Sequence, residues 1–327
     1  MLKLMRKSTV VQLLVLVAAM VLLWGRAVVH PVPMEEVEGS GLLYGLLQSW
    51  LGALPRLSVV LAALLVLAEG MGFNLLLSRV GLVGKDSLLP ALLFIVVSSA
   101  PAAALSPAVL VNGLLVLYVQ QALLRGTLLT IPTGKVCSAT ALLGVASLVY
   151  LPAAAFLLSY LLVVTIYRLY SWRDWAALLL GLLAPYVLVV AVLYLTGDVA
   201  TWWERTLGEF SQLGLHFSAA DLWPAVGRVV LVALAVYSLI VASRRMNENP
   251  MAWQKNAQVV IACFVGAVAL WVGTALFPPD ARYLAVAFTL TGTQMLTVKP
   301  TYTAGRKRRQ WLPEVLMLTL IIAALLC

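Results

Sequence analysis

Charge is what this sequence has least of. Lysine, arginine, aspartate and glutamate make up 11% of its 327 residues, where an ordinary soluble domain has roughly 25%. Hydrophobic residues reach 63% and the mean hydropathy is +1.01. No water-soluble core of this size hides that much apolar surface, so lipid must be part of the solvent. Histidine is almost absent: His30 and His216 are the only two, which excludes a multi-histidine metal site. The three cysteines, Cys137, Cys263 and Cys327, lie in or beside apolar stretches without paired spacing. They read as small buried residues, with no disulfide framework and no zinc site. Nucleotide and hydrolase motifs are missing as well: Gly134-Lys135 is followed by Val136 and lacks the upstream glycine of a P-loop, and no GxGxxG, HExxH, CxxC or GxSxG is present. No cofactor is expected. With no ATPase engine of its own, the chain must draw energy from a gradient, a partner or an activated lipid.

Long apolar runs are what the sequence has in abundance. A spanning helix needs about 20 such residues, and the chain offers eleven candidates: 9–29, 57–78, 87–105, 107–124, 136–151, 152–169, 174–196, 222–243, 257–277, 281–298 and 311–327. The fifth and sixth form one stretch, divided at Tyr150, Leu151 and Pro152 because proline cannot donate to the helix ladder. The predicted fold is all-α: a polytopic membrane protein of about eleven spans in a single membrane domain, 1–327. The basic start Lys3, Arg6, Lys7 and the apolar run from Val10 to Trp24 resemble a signal peptide, but Gly25-Arg26-Ala27-Val28 makes a poor cleavage site. It reads as an uncleaved first span.

Basic residues set the orientation. With the N-terminus cytoplasmic and the C-terminus outside, all but five of the 22 lysines and arginines fall on the inner side; the exceptions are Arg26, Arg56, Arg205, Arg228 and Arg282. Every inner loop then obeys the positive-inside rule. The net charge of +9 is therefore topogenic and lipid-facing, including the run Arg306 to Arg309, and no nucleic-acid partner is expected, since no aromatic interleaving or reader motif accompanies it.

Two outer loops, 30–56 and 197–221, are long enough to have structure. The first runs from His30 through Glu35, Glu36 and Glu38 to Gly41-Leu42-Leu43-Tyr44, Gln48 and Trp50. Its second part suits a helix lying in the interface, and the loop bearing Trp202, Trp203, Glu204, Arg205, Glu209, Phe210 and His216 suggests another. Every outer cation is an arginine, whose fork binds phosphate bidentately. The simpler reading is that Arg26, Arg56, Arg228 and Arg282 snorkel at span ends or pair with the outer acids. If they share a pocket with the acids, Arg26, Arg56, Arg205 and Arg282 would hold the phosphate of a polyprenyl-phosphate donor, and Glu35 or Glu36 would deprotonate the acceptor of its sugar.

A first span followed at once by an external acidic motif and an interfacial helix resembles the polytopic glycosyltransferases of the GT-C type. Over more of the chain, Gly72-Phe73-Asn74, Leu88-Leu89-Pro90, Leu105-Ser106-Pro107, Asn112, Tyr150-Leu151-Pro152, Arg173-Asp174-Trp175 and Gly181 to Pro185 are similar to an uncharacterised bacterial family of multi-pass inner-membrane proteins. The first resemblance implies Glu35 and Glu36 as the catalytic carboxylates. The second implies the bacterial cytoplasmic membrane and a cell-envelope setting.

One acid lies inside a span. Glu69, in Leu67-Ala68-Glu69-Gly70-Met71-Gly72, would cost about 2.5 to 3.5 kcal/mol if ionised at that depth. It reads either as a proton or cation site or as a packing group bonded to a neighbouring helix through Asn112 or Gln120. Asn74, Asn112, Gln120, Gln121 and Gln294 read as interhelical glue, and Pro101, Pro107, Pro152 and Pro185 as breaks or turns. Spans one and seven both precede acidic, aromatic outer loops, which would fit a weak six-plus-five duplication. Three functions stay open: a lipid-linked sugar transferase, a transporter or flippase using Glu69, and a non-catalytic membrane subunit of an envelope complex.

Overall fold

The computed structural model describes residues 9–34, 37, 39–80, 87–99, 104–123, 131–197, 199–200, 202–204, 206, 230, 233, 236–237, 239–240 and 251–274. Every regular element among them is helical. In chain order these are α1 (Thr9–Val29), α2 (Leu42–Leu51), α3 (Pro55–Val80), α4 (Leu89–Ser98), α5 (Pro107–Ala122), α6 (Thr133–Val149), a 3₁₀ turn (Leu151–Phe156), α7 (Leu157–Tyr167), α8 (Trp172–Thr196) and α9 (Met251–Thr274). Three of them, α1, α3 and α8, are long and apolar enough to cross a membrane.

Local chemistry sets the boundaries. α1 stops short of Pro31 and Pro33, and α3 and α5 each begin on a proline, whose missing N–H costs nothing in the first turn. Ser171 caps α8 by accepting from Arg173 N at 3.2 Å, with Asp174 in the first turn to complement the helix dipole. Gly197, at φ +83°, ends it in the left-handed conformation that glycine adopts freely. The division at Tyr150-Leu151-Pro152 is real: α6 ends at Val149 and the 3₁₀ turn starts at Leu151.

Two expectations need correction. The stretch 87–105 contains a helix of only 10 residues, Leu89–Ser98, every one of them buried. Uniform apolarity there reflects enclosure by neighbouring helices, and Pro101 lies outside the described residues. Pro185 makes no break, since α8 runs through it and its ring packs against Gly144 of α6. The expected span 222–243 lies largely outside the described residues, and 281–298 and 311–327 lie wholly outside them.

Contacts give the packing order and the relative directions. Gln12 Oε1 accepts from Leu88 N at 2.7 Å and Trp24 Nε1 donates to Ser99 Oγ at 2.8 Å, so α4 lies alongside α1 and runs parallel to it. α3 packs between α4 and α5, with Gly70 against Ala91 and Ile95 and the Phe73 ring 5.7 Å from Phe94. Tyr118 of α5 packs edge-on to Phe156 and Tyr160 and shares a 2.9 Å hydrogen bond with Ser159, while Tyr167 donates to Ala122 O. α5 and α7 are therefore parallel. Gly266 of α9 meets Ser159, and Lys255 lies over the Tyr167 ring, which makes α9 antiparallel to α7.

Among the described helices, α6 and α8 share the most extensive contact. Thr133 donates to Asp174 at 3.1 Å, Gly181 packs on Cys137 and Thr140, Gly144 meets Leu182 and Pro185, and Ser147 shares a 2.7 Å bond with Tyr186. Small residues on both helices let the backbones touch, a packing mode that needs no hydrophobic driving force.

Large apolar side chains also cover the outside of this bundle. Val10, Leu14, Val21 and Leu22 of α1 and Leu180, Val187, Leu188 and Leu195 of α8 are all more than half exposed. Apolar inside and apolar outside is the pattern of a protein whose surroundings are hydrocarbon. The helix directions gather Arg79, Lys135, Arg168, Arg173 and Lys255 at one end, and place Arg26, α2 and Arg56 at the other.

Candidate functional site

Glu69 occupies the middle of α3. α5 presents Gly113 to it, and the missing side chain is what makes room: a Cβ at Gly113 would stand 2.6 Å from Glu69 Oε1. The carboxyl group therefore lies directly on the α5 backbone. Its other oxygen, Oε2, is buried and has no hydrogen-bond partner among the described residues. The neighbouring Asn112 is fully buried on the same helix. Next along α3, Gly70 closes the opposite flank by admitting Ala91 and Ile95 of α4.

The surroundings hold no described counter-charge. α4 and α5 contain no lysine, arginine, histidine, aspartate or glutamate. On α3 itself the cations are Arg56 and Arg79, at the two ends and exposed. Burying a carboxyl oxygen without a described partner is costly if the group is ionised, so this geometry suits a group that works by changing its bound state. Sequence reasoning found Glu69 but not Gly113. The signal was available: a glycine inside an apolar helix usually marks a close approach.

Other buried oxygens lack a described partner: Asn74 Oδ1 on α3, Ser98 Oγ at the end of α4, Ser106 Oγ before α5 and the Tyr160 hydroxyl on α7. Ser98 and Ser106 border the α4–α5 connection, which the Tyr44 hydroxyl also reaches by donating to Leu105 O at 3.2 Å. A helix, α2, forms in the first of the expected outer loops, with Tyr44 buried and Leu46 and Trp50 exposed.

The expected outer-loop site is described only at its edges. Arg26 at the end of α1 and Arg56 at the start of α3 are exposed, at the same end of the bundle. Glu35, Glu36, Arg205 and Arg282 lie outside the described residues. The chain on either side of the two glutamates is nevertheless docked. Met34 is buried, Gly41 N donates to Val149 O at 2.9 Å, and Leu151 N donates to Gly39 O at 3.0 Å, forming a bridge between Ser40 and Tyr150.

Among the described residues no group of three or more histidine, cysteine, aspartate or glutamate side chains is placed to hold a metal ion. Cys137 and Cys263 are free thiols. Comparison with known protein families, with characterised proteins and with solved structures finds no match.

Proposed function

We propose that this chain is a multi-pass protein of the bacterial cytoplasmic membrane, N-terminus inside, that moves an ion through its bundle by loading and unloading Glu69. The observation that carries this reading is the position of Glu69 in mid-helix, with one oxygen against Gly113 and the other buried without a described partner. Intramembrane carboxylates are rare and expensive, and they commonly mark ion pathways. The short, fully enclosed α4 and the 3₁₀ interruption at Leu151–Phe156 add the irregular helices that transport sites use. The test is flux in proteoliposomes with a pH-sensitive or cation-sensitive dye inside. Wild type should dissipate an imposed gradient and Glu69→Gln should not, although it keeps size and polarity; equal flux in the two would overturn the reading.

A second reading, transfer of a sugar from a polyprenyl phosphate at the outer leaflet, is favoured by the docking of the chain on both sides of Glu35 and Glu36. The flanking residues Met34 and Gly39 to Gly41 pack at the end of the bundle where Arg26 and Arg56 are exposed. Glu35 and Glu36 would act as base, and Arg26, Arg56, Arg205 and Arg282 would hold the departing phosphate. Native mass spectrometry of the gently purified protein should then find a polyprenyl phosphate, lost on changing Arg26, Arg56 and Arg205 to Gln; bulk phospholipid alone, unchanged in the variants, would remove this reading. Failure of both tests in a folded protein leaves the third class, a non-catalytic subunit beside other envelope membrane proteins.

A further inference from the structure

We infer that the ion loaded at Glu69 is the proton rather than a metal cation, exchanged at the seam between α3 and α5, with Gly113 as the residue that positions the carboxyl group. The inference rests on the ion-moving reading for its purpose and on the local geometry for its chemistry.

The donor set decides against a metal. Hard cations take about six or more oxygen ligands, and the described elements packed on α3 that could supply them are α1, α2, α4 and α5. Among the described residues, Ala91 and Ile95 of α4 pack on Gly70 next to Glu69, Gly113 of α5 brings no side chain, and the neighbouring Asn112 adds one amide oxygen at most, far short of such a shell. Oε1 takes the space that a side chain at position 113 would fill. A proton needs only the one carboxyl oxygen.

Electrostatics points the same way. The titratable groups on the packed elements are few and engaged elsewhere. Tyr118 of α5 bonds to Ser159, Tyr44 of α2 donates to Leu105 O, and Arg26 of α1 is exposed at the helix end. A carboxyl group with no cation facing it among the described residues loses its charge by taking up a proton, whereas sodium or potassium would leave an ion pair needing more ligands than those residues provide.

Position supplies the exchange route. Glu69 stands at the border between the packed and the open arcs of α3: Gly70, Phe73 and Val66 are buried, while Leu64, Ala68 and Gly72 are exposed. Gly113 has the same border position on α5, since Asn112 and Val116 are buried and Leu117, one turn on, is exposed. Gly72 has nothing within reach of an added Cβ. The open side of this border faces hydrocarbon and admits an apolar carboxyl reagent, while the proton's path runs along the α3–α5 seam, where Gln120 stands two turns beyond Gly113 on the same face, nearer the basic end.

A hydrophobic carbodiimide reports this state directly. A protonated carboxyl group in apolar surroundings gives its proton to one carbodiimide nitrogen while its oxygen bonds to the central carbon. The resulting O-acylisourea rearranges to a stable N-acylurea that retains the whole reagent. Full-length protein in phosphatidylethanolamine and phosphatidylglycerol vesicles is treated with dicyclohexylcarbodiimide across a pH series, with and without sodium or potassium, and mapped by peptide mass spectrometry. The expected result is an adduct on Glu69 that is lost as pH rises and is indifferent to either cation. Gly113→Ala should shift the pH midpoint of that loss, because its methyl group displaces Oε1; an unchanged midpoint would strip Gly113 of its role. No adduct at any pH, or protection by sodium or potassium, would overturn the proton assignment, and the wild-type measurement depends on no variant's folding. If Glu69 is labelled but Glu69→Gln keeps full flux, the proton site stands and the ion-moving reading falls. If flux is lost without labelling, the ion-moving reading stands and the proton assignment falls.

Discussion

Trp24 and Ser99 are 75 positions apart in the chain and joined by a 2.8 Å hydrogen bond from the indole N–H to the serine hydroxyl, with both side chains buried. The bond from Leu88 N to Gln12 Oε1 closes the other end of the same interface. These two contacts fix how far α4 rises beside α1, and hence where Ala91 and Ile95 meet Gly70, the residue after Glu69. Trp24→Phe should lower stability by about 1 to 2 kcal/mol, since it leaves the Ser99 hydroxyl buried without its donor. Ser99→Ala should cost a comparable amount, and the double variant less than the sum of the two. Unfolding midpoints in detergent check this; strict additivity would show that the bond contributes nothing.

Gly181 marks a close approach of α8 to α6, since a methyl group there would fall on Thr140 Oγ1 and the Cys137 carbonyl. A backbone carbonyl cannot swing aside, so Gly181→Ala must push the two helices apart. Overpacking of this kind costs roughly 1 to 3 kcal/mol. Gly25→Ala, at a site with nothing within 4 Å of the added atom, is the control and should be neutral or slightly stabilising, because alanine is the better helix former. Thermal midpoints of the two variants must separate in that order.

Surface exposure predicts which tryptophans touch lipid. Trp50 of α2 is 81% exposed and Trp172 at the start of α8 is 76% exposed, whereas Trp24 is 3% exposed. In variants retaining one tryptophan each, brominated phospholipid should quench Trp50 and Trp172 strongly and leave Trp24 nearly untouched. Protection of Trp50 would mean that α2 lies against protein instead of the interface.

Much of this architecture was legible before the structure, for identifiable reasons. α1, α3 and α8 follow from hydropathy alone, because an apolar run of spanning length has few other fates. The turn at Tyr150-Leu151-Pro152 followed from proline's missing donor. Hydropathy could not separate a spanning run from an enclosed one, so Leu89–Ser98 read as part of a full span. Pro185 misled because its tolerance depends on Gly144, a residue on another helix. Glu69 stood out as a charge in the wrong solvent, but its partner Gly113 is defined by absence, and only packing reveals which glycine faces which carboxyl. The outer-loop residues Glu35 and Glu36 were picked on chemistry, with their docked flanks the only structural support.

Gly41 tests whether that docking matters. Its N–H bonds to Val149 O at 2.9 Å, and a Cβ there would collide with the Leu148 carbonyl. Its backbone, at φ −76° and ψ 173°, is ordinary extended chain, so any effect of Gly41→Ala comes from the collision and not from strain. Because the obstructing atom is backbone, the Ser40–Tyr150 bridge has to open, freeing the segment that carries Glu35 and Glu36 while leaving Arg26 and Arg56 on their helices. Limited proteolysis from the side bearing α2 should cut between His30 and Gly41 faster in the variant than in wild type. Flux through the Glu69 seam should be unchanged, since α3 and α5 are untouched. Any polyprenyl phosphate seen by native mass spectrometry should be retained if the arginines alone hold it, and lost if the docked glutamate segment forms part of its site. An unchanged cleavage rate would show that the bridge does not hold the segment.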